Sequence, residues 1–146
     1  MGTSRIDIGS HASVRFNEPE AVRLAREAYG IDATAAALPG EYDDNFLLTT
    51  ASGQFVLKVM HPRRERAFVD LQSQALEHLA LRAPDLAVPR VVPTSAGESI
   101  ASATDAGGAP RLVWLLRHLP GCLLAQVNPH TPELLRDLGR FLGRMD

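Results

Sequence analysis

The 146 residues predict an α+β fold: a twisted antiparallel sheet of about five strands with one long helix packed on it, and a further helix toward each end. Three observations carry the prediction. Two strand-like segments, NFLLTT and QFVLKVM, are separated by ASG, a hairpin signal. From Arg64 to about Arg82 the apolar period becomes helical. Strand patterns then resume as PRVVPT, ESIASA and RLVWLLRHL, bounded by the turn-forming SAG and DAGGAP. Hairpin-linked strands interrupted by a single helix belong to an antiparallel sheet, not to a doubly wound parallel one.

The elements follow in order. NEPEAVRLAREAYG is a helix because Asn17 can cap it, Glu20 stands at the capping-box position and Gly30 follows its last turn. Val22, Ala25 and Tyr29 give it an apolar stripe. ATAAAL, NFLLTT and QFVLKVM come next as three strands. In the Arg64 to Arg82 helix, Phe68, Leu71, Ala75, Leu76 and Leu79 share a face, and Pro84 lies just past the end. The last helix opens in HTPELLRDLGRFLGRMD, with Thr131 as cap, Pro132 in the first turn, and Leu134, Leu135, Leu138, Phe141 and Leu142 as its apolar face. GRFLGRMD carries no closing Pro or capping turn, so this helix is expected to continue to Asp146. There is no internal repeat and no low-complexity tract.

Composition narrows the function classes. Apolar residues make up 45% and charged residues 22%, as in an ordinary globular domain. A formal net charge of −2 and 5% aromatic residues argue against a nucleic-acid partner, which calls for basic and stacking side chains. No apolar run approaches the length of a membrane span, MGTSRIDIGS lacks the apolar core of a signal peptide, and Ile6 stands where myristoylation after Gly2 wants Ser or Thr. The expected compartment is the cytoplasm, and the lone Cys122 agrees with a reducing setting. No metal site is expected, because His11, His61, His78, His118 and His130 lack ligand-pair spacing. Asp105 in DAG and Asp137 in DLG are expected to be structural, the first in a hairpin turn and the second inside a helix.

The most informative stretch is GQFVLKVMHPRRE. Side chains alternate along a strand, so Phe55, Leu57 and Val59 face one way while Val56, Lys58 and Met60 face the other. A lysine between apolar neighbours on its own face suits a cleft where an ammonium meets an anion; a snorkelling lysine on a half-exposed sheet fits this segment equally well. The order of elements favours the first, since a strand-borne lysine followed by a helix is the arrangement kinases use for ATP phosphates.

LPGEYDDNFLL, FVLKVM, LQSQALEHL, VPRVV and LVWLLRHLPG together resemble the amino-terminal lobe of the aminoglycoside phosphotransferase and choline kinase-like superfamily. They are most similar to its hydroxylysine kinase branch, including versions fused to class III aminotransferases. The resemblance runs from Phe16 onward. It implies a protein kinase-like N-lobe over residues 18–119, preceded by a tail at 1–17 and followed at 120–146 by a hinge and the first helix toward a C-lobe. It implies that Lys58 binds ATP phosphates. The helix position that in most kinases carries a glutamate to orient this lysine here carries Gln72, a weaker holder, with Glu65 and Glu77 as alternative partners. GEYDDNF, the turn between the first two strands, would lie over the phosphates with backbone N–H groups and Asn45 as contacts, Asp43 and Asp44 serving equally well as plain turn formers. Leu116 would precede the hinge as gatekeeper, with the Arg117 carbonyl and the Leu119 amide holding adenine.

The family's catalytic and magnesium-binding carboxylates belong to a His-Gly-Asp stretch and a later Asp, and none of the five histidines here is followed by Gly-Asp. The expectation is therefore an ATP-binding lobe truncated before its catalytic loop, with no catalytic residue of its own and Mg2+ bound mainly by the C-lobe. The acceptor would be a hydroxyl on an amino-acid-like or amino-alcohol compound. The alternative is a non-catalytic, kinase-like module fused to another enzyme such as a class III aminotransferase.

Overall fold

A computed structural model describes residues 14–146. Gly2, Ile6 and His11, and most of the expected tail, lie outside the described residues. Of the tail's described part, Phe16 is buried in the core.

The chain runs α1 (Glu18–Tyr29), β1 (Thr34–Leu38), β2 (Asp44–Thr50), β3 (Gly53–Val59), α2 (Arg66–Arg82), β4 (Val91–Val92), β5 (Ala101–Thr104), β6 (Pro110–Arg117) and α3 (Pro132–Gly143). All pairings are antiparallel, in the order β1-β2-β3-β6-β4, with β5 also on β6. Six strands thus fill five positions: β4 pairs with Leu115 and Leu116, β5 with residues 110–113, end to end along one edge of β6. The expected sheet is present.

α1 starts as its sequence dictates. The Asn17 side chain accepts from the Glu20 amide at 3.0 Å, the Glu20 carboxylate accepts from the Asn17 amide at 2.9 Å, and Gly30 closes the helix at φ 66°. Its buried residues are Ala21, Leu24, Ala25 and Tyr29, so the stripe lies slightly to one side of the expected Val22 line. These meet Phe46, Leu48, Phe55, Leu57, Val59, Val113 and Leu115 on one face of the sheet. The Tyr29 hydroxyl reaches the Val113 carbonyl at 3.3 Å, and burial pushes its pKa far up.

α2 packs on the opposite face, where Val69 joins Met60, Ile100, Trp114 and Leu116. The expected stripe needs correcting. Phe68 and Leu71 remain 47% and 65% exposed, while the helix buries Val69 and Ser73. The reason is that α2 carries two adjacent apolar strips: Val69, Ser73 and Leu76 turn to the sheet, and Phe68, Ala75 and Leu79 flank an open groove. α3 is a second correction. It stops at Gly143 instead of continuing, and none of its residues is buried. The Arg144 guanidinium ties its end to Asp85 through contacts of 2.9 and 2.8 Å.

Candidate functional site

The hairpin joining β2 and β3 pairs Thr50 with Gly53, which places Asn45 directly opposite Lys58; across β3, Lys58 stands opposite Trp114. Residues directly opposite share a face, so Asn45, Lys58 and Trp114 form one row across the sheet on the α2 side. The Lys58 ammonium donates to Asn45 Oδ1 at 3.0 Å. The Asn45 amide nitrogen braces the β1–β2 turn, donating to the carbonyls of Asp43 at 3.4 Å and Pro39 at 3.5 Å. An ammonium can only donate, so this division of the amide's two ends is chemically consistent.

Lys58 opens into a groove of about 450 Å³ between the sheet and α2. Met60, Trp114, Leu116, Phe68, Ala75, Leu76, Leu79 and Met145 supply its apolar walls; Asp43, Lys58, Arg64 and Gln72 supply its polar groups. Lys58 is half-buried. The structure thus brings Lys58, Asn45, Gln72 and Leu116 together, but it is Asn45 and not Gln72 that holds the ammonium. Neither alternative carboxylate does so: Glu77 accepts from the Ser99 hydroxyl, and exposed Glu65 precedes α2 without a side-chain capping bond.

Arg117 and Leu119 lie outside the groove lining. The Arg117 amide donates to the Arg90 carbonyl at 2.8 Å and the His118 amide to the Gln54 carbonyl at 3.1 Å. The Leu119 amide is the next one along and has no protein acceptor among the described residues.

The two adjacent aspartates part ways. Asp43 accepts from the His61 amide at 2.8 Å and faces Arg64 Nε at 3.5 Å, anchoring the β1–β2 turn to the start of α2. Asp44 is 5% exposed and belongs to the interior. Its carboxylate receives Arg111 Nη2 at 2.9 Å, Arg15 Nη1 at 2.8 Å and the Phe16 amide at 3.3 Å. Arg111, itself 1% exposed, also donates to the carbonyls of Met60 and Val14 and to Asp105 Oδ2. Reading Asp44 as a turn former is thereby overturned. Sequence reasoning passed over Arg111 because a buried arginine on a strand has no local signature; its ion-pair partners lie 6 and 67 residues away. Asp105 does sit in the β5–β6 turn: its carboxylate accepts from the Ala109 and Gly107 amides at 2.9 and 3.0 Å, and these bonds, with Arg111, hold its pKa below the usual range.

Among the described residues no group of three or more His, Cys, Asp or Glu side chains could hold a metal ion. No helix among them is long and apolar enough to cross a membrane.

A twisted antiparallel sheet with a helix on the lysine-bearing face is the architecture of a kinase-like amino-terminal lobe. The sequence model of the phosphotransferase enzyme family (APH) matches residues 34–146, and the chain belongs to that family. Among solved structures it is similar to amicoumacin kinase hAmiN in complex with AMP-PNP, Ca2+ and Ami, with a TM-score of 0.73 and 20% identity over 90% of this chain and 39% of that one. It is also similar to a microcompartment-associated aminopropanol kinase (TM-score 0.64, 22% identity, 88% and 39% of the two chains). A third likeness is to spectinomycin phosphotransferase APH(9)-Ia in complex with ADP and spectinomycin (TM-score 0.65, 14% identity, 88% and 37%). At these identities the likeness is one of fold. The chain spans under two fifths of the length of each of these structures. No curated protein matches it.

Proposed function

We propose that this chain is the nucleotide-binding lobe of a small-molecule kinase, with residues 18–119 forming the lobe and residues 120–146 leading toward a C-lobe of the same polypeptide. One observation carries the reading: a half-buried ammonium on a central strand, fixed at 3.0 Å by Asn45, beside a groove with apolar walls. Such a lysine is a rigidly mounted point charge in a partly dry setting, which suits the phosphates of ATP. The Leu119 amide, without a protein acceptor among the described residues, is available for adenine, with Leu116 as an apolar wall and the Arg117 carbonyl as the complementary acceptor. In this reading Asn45 orients Lys58 while Gln72 lines the same groove, and Mg2+ belongs mainly to the C-lobe. The chain's own contribution to phosphoryl transfer is binding, alignment and exclusion of water.

The acceptor in this reading is a hydroxyl on an amino-acid-like or amino-alcohol compound, in keeping with the hydroxylysine kinase resemblance and with an aminopropanol kinase among the fold neighbours. The test is equilibrium titration of the chain with ATP, with Lys58→Met as the control. Saturable binding that weakens in Lys58→Met supports the reading. No binding by a folded parent chain returns it to a kinase-like regulatory module, such as one fused to an aminotransferase.

A further inference from the structure

We propose that Arg64 is a second cation of the groove, selective for the terminal phosphates of the nucleotide. The inference rests on the nucleotide reading of the Lys58 site and adds to it a residue that discriminates by phosphate number.

Arg64 lines the same groove as Lys58. Its guanidinium lies 5.6 Å from the centroid of the Phe68 ring, and its Nε faces Asp43 Oδ1 at 3.5 Å. That carboxylate oxygen is already the acceptor for the His61 amide at 2.8 Å, so Arg64 is oriented by Asp43 without being consumed by it. Among the described residues neither terminal nitrogen of Arg64 has a protein partner. The contrast with Arg111 is instructive, because there Nε, Nη1 and Nη2 are all engaged inside the protein. A groove-lining guanidinium oriented at Nε and along one face, with both terminal nitrogens unpaired among the described residues, is suited to bidentate recognition of a phosphate.

The two cations share a mounting. Lys58 is held by Asn45, the Asn45 amide donates to the Asp43 carbonyl, and the Asp43 carboxylate orients Arg64. A single turn between β1 and β2 therefore places both charges. A ligand with one phosphate can satisfy Lys58 alone, whereas a di- or triphosphate has oxygens for both.

The experiment is equilibrium titration of the parent chain, Arg64→Met, Arg64→Lys and Lys58→Met with ATP and with AMP, beside each variant's thermal midpoint. Loss of one charge-assisted bidentate contact is expected to raise the Kd for ATP about ten-fold in Arg64→Met and to leave the Kd for AMP within about two-fold. Arg64→Lys, which keeps the charge and loses the fork, is expected to recover only part of the ATP affinity. ATP affinity unchanged in Arg64→Met while Lys58→Met loses it would overturn the role of Arg64 and leave the nucleotide site standing. An equal loss for ATP and AMP in Arg64→Met would overturn the selectivity. A folded parent chain that binds neither nucleotide would remove the site and this inference together.

Discussion

At the scale of single residues, Lys58 and Arg111 show two ways of keeping a cation off the open surface. Lys58 is half-buried with one neutral acceptor, so its removal strands no buried charge. Lys58→Met is expected to shift the unfolding free energy by roughly half a kcal/mol, as for a substitution outside the core, while sharply weakening ATP binding. Asn45→Ala should reproduce part of that loss and combine non-additively with Lys58→Met, because both act through one contact. Gln72→Ala should do less, having no bond to the ammonium; a larger effect for Gln72 than for Asn45 in the same titrations would contradict this geometry. Arg111 is the opposite case. Arg111→Met strands two buried carboxylates, Asp44 and Asp105, with half-exposed Arg15 as the remaining cation on Asp44. The expected cost is about 3–5 kcal/mol, measured by urea unfolding. The difference in legibility between the two residues is physical. The Lys58–Asn45 contact was implicit in the sequence, since a tight hairpin at ASG fixes the register and so the pairing of residues 45 and 58. Arg111 depends on which distant strands become neighbours, which residue spacing does not specify.

At the scale of elements, the β1–β2 turn controls the site more than α2 does. Its Gly40 is needed for a close approach: an added Cβ would lie 2.3 Å from the Asp43 carbonyl oxygen and 2.5 Å from the Asn45 side-chain nitrogen. Gly40→Ala must therefore push apart the groups that hold Asn45. It is expected to weaken ATP binding through displaced Asn45 and Lys58, visible as a chemical-shift change of the Asn45 side-chain amide. The β5–β6 turn offers a pH-dependent counterpart. Asp105 has its folded pKa lowered, chiefly by the Ala109 amide, so its stabilisation is complete above its unfolded pKa of about 3.9 and fades as pH falls through the lower folded value. Asp105→Asn should unfold more readily than the parent at pH 7, and the gap should close on acidification below about pH 4. A gap constant down to pH 2 would deny the carboxylate this role. α2 was only half legible. Its helical period was plain, but with two apolar strips side by side, periodicity cannot say which one the sheet will take. Val69 and Ser73 took the sheet, leaving Phe68, Ala75 and Leu79 to the groove.

At the scale of the whole molecule, the sheet and its inserted helix followed from the alternation of periods, because register and face are local consequences of hairpin turns and side-chain alternation. What local pattern cannot supply is a partner for faces that this chain leaves uncovered. Leu71, Leu81, Leu135 and Leu142 are all more than half exposed, and α3 buries nothing. That openness bears on activity. Phosphoryl transfer is catalysed almost wholly by positioning and charge, and among the described residues the polar groups lining the groove are a lysine, an arginine, a glutamine and one carboxylate already held by His61 and Arg64. No histidine is followed by Gly-Asp, and no acid cluster suited to a metal occurs among the described residues. On the nucleotide-lobe proposal, the chain is expected to bind ATP without transferring its terminal phosphate to any amino alcohol or hydroxy amino acid. The measurement is ADP release from the purified 146-residue chain, with and without such acceptors, against a Lys58→Met control. Release at the rate of that control is the expected result. Acceptor-dependent release that Lys58→Met abolishes would mean that this lobe assembles a catalytic carboxylate that its fold does not display, and the division of labour between two lobes would have to be abandoned.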